Sequence, residues 1–136
     1  MIKPIMKSEF FLRLPSEDAG PDDAATGQDL LDTLHEHEHE CVGLAANMIG
    51  VRKRIICVKD GNRTLLMYNP QILEQVNAYQ TSEGCLSLIG ERPCTRYRRI
   101  KVEYLDENFV HRIKNFSSYT AEIIQHEIDH CNGILV

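Results

Sequence analysis

The sequence predicts an α+β fold, a group of short strands gathered between an early helix and a C-terminal one. Two observations carry this. Leu30, Leu31 and Leu34 recur at helical spacing behind a polar breaker, and the stretch from Ser118 to about Cys131 repeats that pattern near the end. Between them, Ile55-Ile56-Cys57-Val58, Thr64 to Tyr68, Ile100 to Tyr104 and Phe109 to Ile113 alternate or run apolar and are punctuated by turn residues. Strands segregated from helices argue against a doubly wound sheet. With 136 residues and no linker or repeat, the chain reads as a single catalytic-sized domain over 1–136.

The breaker Pro15 to Asp23 is expected to be a loop that delivers Asp22 or Asp23 to the N-cap of the first main helix. That helix runs from about Ala24 and dissolves into His35-Glu36-His37-Glu38-His39-Glu40. Cys41 to Gly50 is rich in small residues, so its backbone can approach another group closely. Asp60-Gly61-Asn62-Arg63 reads as a hairpin turn. Asn69-Pro70 should break the second strand, leaving Ile72 to Gln80 as a third. Asp106-Glu107-Asn108 marks a second hairpin. Ser117 or Ser118 can cap the last helix, and Asn132-Gly133 can end it.

With 15 Lys+Arg against 20 Asp+Glu, the net charge of −5 excludes a general phosphate-backbone binder, and no specific nucleic acid is expected as a partner. The densest basic run, Arg92 to Lys101, is interleaved with apolar residues and reads as a solvated strand face. No apolar run resembles a secretory core or approaches the ~20 residues of a membrane span. Five cysteines without a CxxC pair fit a reducing cytoplasm.

HExxH occurs twice, at His35–His39 and at His126–His130. Histidines four apart on a helix share one face and can bind one metal, and the intervening Glu can serve as general base. The first copy lies in a polar run at a helix end and reads as solvated surface. The second follows Ile123 and Ile124 and contains Ile128, as a buried helix would. A tetrahedral catalytic metal needs a third protein ligand, for which Cys85 in Glu83-Gly84-Cys85-Leu86-Ser87 is the best candidate.

Three segments, in order, resemble the motifs of the peptide deformylase family. Gly43-Leu44-Ala45-Ala46 is similar to the core of the first, Glu83 to Ser87 to the second, and Gln125 to His130 to the third. The resemblance implies antiparallel sheets packed around a central HExxH helix, and hydrolytic removal of formyl from formylmethionine on nascent chains, with possible ribosome proximity. By position it implies Cys85, His126 and His130 as ligands of one divalent ion, Fe(II) expected with Zn, Ni or Co as substitutes. Glu127 would be the general acid/base, and the Leu86 N–H would help bind the oxyanion. Glu83, Gln125 and Asp129 are candidates to orient the ligand rings.

The chain also departs from the family pattern. The first motif usually reads Gly-x-Gly-x-Ala-Ala-x-Gln, whereas Cys41 and Met48 stand at the outer Gly and Gln positions. A thioether donates no hydrogen bond, and loss of one oxyanion donor typically removes about 10²–10³ in rate. Asn47 carries an amide, but a one-residue slip aims it elsewhere. Gly43, Leu44, Met48, Glu122 and Ile123 are the substrate-binding candidates. Glu122 either tilts to solvent or places a carboxylate where the family is apolar and receives methionine. Arg96 reads as structural. Six residues follow His130, short of the C-terminal helix of many longer members. The alternative expectation is a metal-binding paralogue with an altered N-acyl-peptide substrate or no turnover.

Overall fold

A computed structural model describes all 136 residues. A short helix α1 (Glu9–Leu12) precedes a 3-10 turn, Pro21–Asp23, and helix α2 (Ala24–Glu36). Strands β1 (Gly43–Ala45), β2 (Ile55–Asp60), β3 (Arg63–Glu83), β4 (Arg92–Leu105) and β5 (His111–Ser117) follow, and helix α3 (Ser118–Cys131) ends the order. The strands form one antiparallel sheet in the order β1-β2-β3-β4-β5, so each pairs with its neighbour in sequence.

Period and turn chemistry explain most of this. Gly61 (φ 63°) turns β2 into β3, pairing Asp60 with Arg63. Asp106 turns β4 toward β5, its Oδ1 accepting from the amides of Asn108 and Val110. Asp23 stands at the N-cap of α2, although its carboxylate accepts from Gly20 rather than from the helix. The end of α3 is set by Gly133 in the left-handed region (φ 77°), where a Cβ would meet the Arg13 carbonyl oxygen at 2.4 Å.

Two expectations are corrected. Asn69-Pro70 does not end a strand: β3 runs 21 residues through it, with register shifts on either side of Gln71 and Ile72. A bulge lets the strand carry a proline that cannot donate to the ladder. Asn69 adopts φ 53° there, and its side-chain amide bonds both the N–H and the C=O of Ala19, fixing the kink to the α2 approach loop. The basic run on β4 is not wholly solvated either, because Arg96 is buried.

The core lies where α2 and α3 pack on β1, β2 and the bulged halves of β3 and β4. Leu30 and Leu34 of α2, Ile55, Ile56 and Cys57 of β2, Met67, Ile100, Val102 and Ile124 are all almost fully enclosed. α3 buries nearly its whole circumference, including Gln125, His126, Glu127 and His130. Polar groups enclosed this way need partners or a function, because burial without either is costly. All five cysteines are free thiols. No helix is long and apolar enough to cross a membrane.

Candidate active site

The first HExxH copy is not a site. α2 ends at Glu36, so His35 and His39 do not share a helical face, and His35 instead faces Glu38 at 3.3 Å on the surface. The second copy lies inside α3. His126 and His130 present their Nε2 atoms to each other at 3.1 Å, and with the Cys85 sulfur they form a group whose ligand atoms all lie within 4.8 Å. Cys85 reaches them from the loop that follows β3.

The surrounding residues hold these donors. His126 Nδ1–H donates to Glu83 Oε1 at 2.7 Å, which fixes the ring with Nε2 turned toward His130. Arg96, 4% exposed, donates from Nε and Nη2 to Glu83 and from Nη1 to Asp129 Oδ2 at 2.7 Å, so one guanidinium ties β3, β4 and α3 together. Gln125 takes the Tyr97 N–H and C=O with its amide, docking α3 on β4. Asn47 Nδ2 donates to the His130 carbonyl at 2.8 Å, so its amide is indeed aimed away from the cavity.

Electrostatics follow from burial and neighbours. Burial works to lower His126, but contacts with Cys85 and Glu83 outweigh it and bring the imidazole up to about 10. Burial, with the neighbouring His126, pushes His130 down to about 3. Burial works to raise Glu83, yet the hydrogen bonds from His126 and Arg96 hold it well below the ordinary carboxylate range. Burial raises Glu127 to about 7. A thiol and two converging ring nitrogens make an S/N/N donor set that suits a borderline transition metal. Glu127 Oε1 and His130 Nδ1 are buried without a hydrogen-bond partner, so this cluster is not closed upon itself.

A cavity of about 620 Å³ opens onto the cluster and is lined by Gly43, Cys85, Leu86, Glu122, Ile123, His126 and Glu127, among others. Leu44 and Met48 are enclosed in the core and do not line it, and the Met48 sulfur sits 3.5 Å from the Ala45 N–H. Glu122 does line it, accepting from the Tyr79 hydroxyl at 3.2 Å, so it does not simply tilt to solvent. β1 brings its backbone against α3: a Cβ on Gly43 would lie 2.7 Å from Ile123 Cγ2 and 3.0 Å from Glu127 Oε2. The anchoring by Asn47 and the double ion pair of Arg96 were not legible as site features, since only the folded chain brings residues 47, 96 and 130 together.

A buried glutamate between two histidines, with a thiol completing the donor set at the end of a cavity, defines a metallohydrolase-type site. A family model described as polypeptide deformylase matches residues 6–136. Peptide deformylase of Clostridium beijerinckii is 51% identical over 136 residues, covering all of both chains. Peptide deformylase 1 of Clostridium perfringens is 38% identical over 111 residues, covering 79% of this chain and 74% of that one. Among solved structures, the peptide deformylase of Thermus thermophilus superposes with a TM-score of 0.89 at 33% identity, covering 99% of this chain and 84% of that one. A class I type b peptide deformylase of Acinetobacter baumannii, bound to Met-Ala-Ser, matches with a TM-score of 0.87 at 30% identity, covering 99% and 97%. The chain belongs to the peptide deformylase family, hydrolases of N-formyl amide bonds.

Proposed function

We propose that the chain removes formyl from the N-terminal formylmethionine of nascent polypeptides in the cytoplasm, close to the ribosome, and does so slowly. The observation that carries the reading is the buried Glu127, its Oε1 unpartnered, between two histidines whose Nε2 atoms converge with the Cys85 sulfur. Cys85, His126 and His130 would hold one divalent ion, Fe(II) by family resemblance, with Zn, Ni or Co able to replace it. When bound, the ion acts as a Lewis acid that makes water a competent nucleophile near neutral pH. Glu127 takes a proton from the attacking water and delivers it to the departing amine as the C–N bond breaks, so formate and a free N-terminus leave. Leu86 lines the cavity and its N–H donates to the oxygen on which negative charge develops. Glu83, held by Arg96, keeps the His126 ring oriented.

The slowness rests on the family resemblance: Met48, enclosed in the core, offers the cavity no amide where the family pattern has a Gln as oxyanion donor, for an expected loss of about 10²–10³ in rate. Formate release from formyl-Met-Ala-Ser by protein loaded anaerobically with Fe(II) or Ni(II) tests the reading, with Met48→Gln beside it. Chelator-sensitive turnover that Met48→Gln speeds about 100-fold supports it. Formate at background from both proteins, with one ion bound per chain, refutes it.

A further inference from the structure

The two histidines of the cluster are held in different ways. His126 Nδ1 donates to Glu83, which Arg96 holds in turn. His130 Nδ1 is buried without a partner, so no hydrogen bond from outside α3 reaches that ring. Where its Nε2 points is set by packing and by the backbone that carries it. That backbone is the last turn of α3, one residue before the helix ends at Cys131, where carbonyls lack partners within the helix and turns fray. The His130 carbonyl oxygen accepts from the Gly133 N–H at 3.1 Å, a local bond, and from Asn47 Nδ2 at 2.8 Å. Asn47 is 1% exposed and stands in a 3-10 turn, Ala46–Ile49, directly after β1. Gly43 of β1 in turn packs its backbone against Glu127. This one stretch of chain therefore touches both the glutamate and the second histidine of α3.

We propose that Asn47 is a positioning residue for the metal site: its amide fixes the end of α3 so that the His130 ring meets His126 and Cys85, doing for His130 what Glu83 does for His126. This rests on the reading of Cys85, His126 and His130 as ligands of one divalent ion. Without the amide, the His130 carbonyl keeps only its bond from Gly133, the last turn gains freedom, and the three donors converge less tightly. The amide at position 47 thus serves the ligands and does not stand in for an oxyanion donor at position 48. Asn47→Ala and Met48→Gln accordingly act on different quantities, the first on retention of the ion and the second on turnover.

The test uses cobalt(II) as the probe, with wild type, Asn47→Ala and Thr33→Val. Competition with a chelating indicator reads affinity, and the visible absorption of the cobalt-loaded protein reads the arrangement of the ligands. Thr33 is fully buried on α2 and bonds Lys3 and Asp29, so its variant reports a loss of stability away from the site. Asn47→Ala should bind cobalt about tenfold more weakly, with shifted absorption bands. Thr33→Val should lower Tm and leave both readings unchanged. Asn47→Ser, whose hydroxyl stops one bond short of the amide nitrogen, should follow Asn47→Ala, and it decides the matter where the alanine variant does not fold. Wild-type affinity and absorption in the Asn47 variants, or an equal loss in Thr33→Val, overturn the proposal. A wild type that takes up no cobalt overturns both the proposal and the metal reading. Cobalt bound without release of formate refutes the deformylase reading alone, and the cobalt measurements then decide the role of Asn47 by the same criterion.

Discussion

Replacing Arg96 with Met should damage stability and metal affinity together. The guanidinium is 4% exposed and compensates Glu83, whose side chain is 9% exposed, and Asp129, whose side chain is 23% exposed. Removing one partner of a buried pair generally destabilises by ~3–5 kcal/mol, because a charge is left buried alone. The low end applies here, since Glu83 keeps its bond from His126 and Asp129 can turn to water. For a domain of this size that corresponds to a fall in Tm of roughly 10 °C. Freed from Arg96, Glu83 orients His126 less firmly, so metal affinity should fall about 10–100-fold. The pH dependence has a definite sign. The depressed Glu83 contributes stability that is present above the free-carboxyl value of 4.5 and lost as pH falls below it. Arg96→Met therefore starts acid unfolding at a higher pH. Thermal unfolding in chelator, acid titration and competition with a metal indicator measure the three effects. The double variant Arg96→Met, Glu83→Gln should recover part of the lost stability, as an uncharged pair would. A Tm change under about 3 °C with unaltered metal affinity would refute the reasoning.

Glu127→Gln should retain one ion per chain but lower formate release at least ~10²-fold, because the amide keeps the shape and cannot carry the proton. Metal analysis beside a formate assay checks both halves; a variant as active as wild type would assign the proton transfer elsewhere. Gly43→Val puts carbon 2.7 Å from Ile123 Cγ2 and 3.0 Å from Glu127 Oε2, so these side chains or β1 must shift. It should destabilise by about 1–3 kcal/mol and lower kcat more than it raises KM, read from denaturant unfolding and steady-state kinetics. Wild-type values for both would mean that β1 can withdraw from α3.

Much of the site could be read before the fold was seen, and the reasons are local. His126, Glu127 and His130 stand at helical spacing among Ile123, Ile124 and Ile128, so periodicity alone marks the motif as buried. The same pattern at His35–His39 lacks that apolar wall and is a surface turn. What escaped depends on contacts distant in sequence. Asn69-Pro70 has every mark of a strand end, but pairing with β4 and the bonds to Ala19 carry β3 through it. Arg96 sits in a basic run whose composition says solvent, and its burial follows only from Glu83 on the neighbouring strand and Asp129 on α3. Glu122 was ambiguous for a similar reason: helix phase puts it on the His126 face, but only Tyr79, 43 residues away, fixes it at the cavity.

The order of the sheet has a kinetic consequence. Because each strand pairs with the next, the sheet can grow hairpin by hairpin with short loop closures, the inexpensive kind of contact in folding. The cluster at Cys85 is different: it waits for α3, more than thirty residues later, to dock and bring two histidines to a loop already in place. An ion that binds only the docked arrangement draws the equilibrium toward it by mass action, about 2.7 kcal/mol when free ion stands at 100 times its dissociation constant. A bound ion would thus add its binding free energy to the docking of the last helix, and stripping the ion would withdraw it, leaving the helix held by its buried face and by its bonds to Tyr97, Arg96 and Asn47.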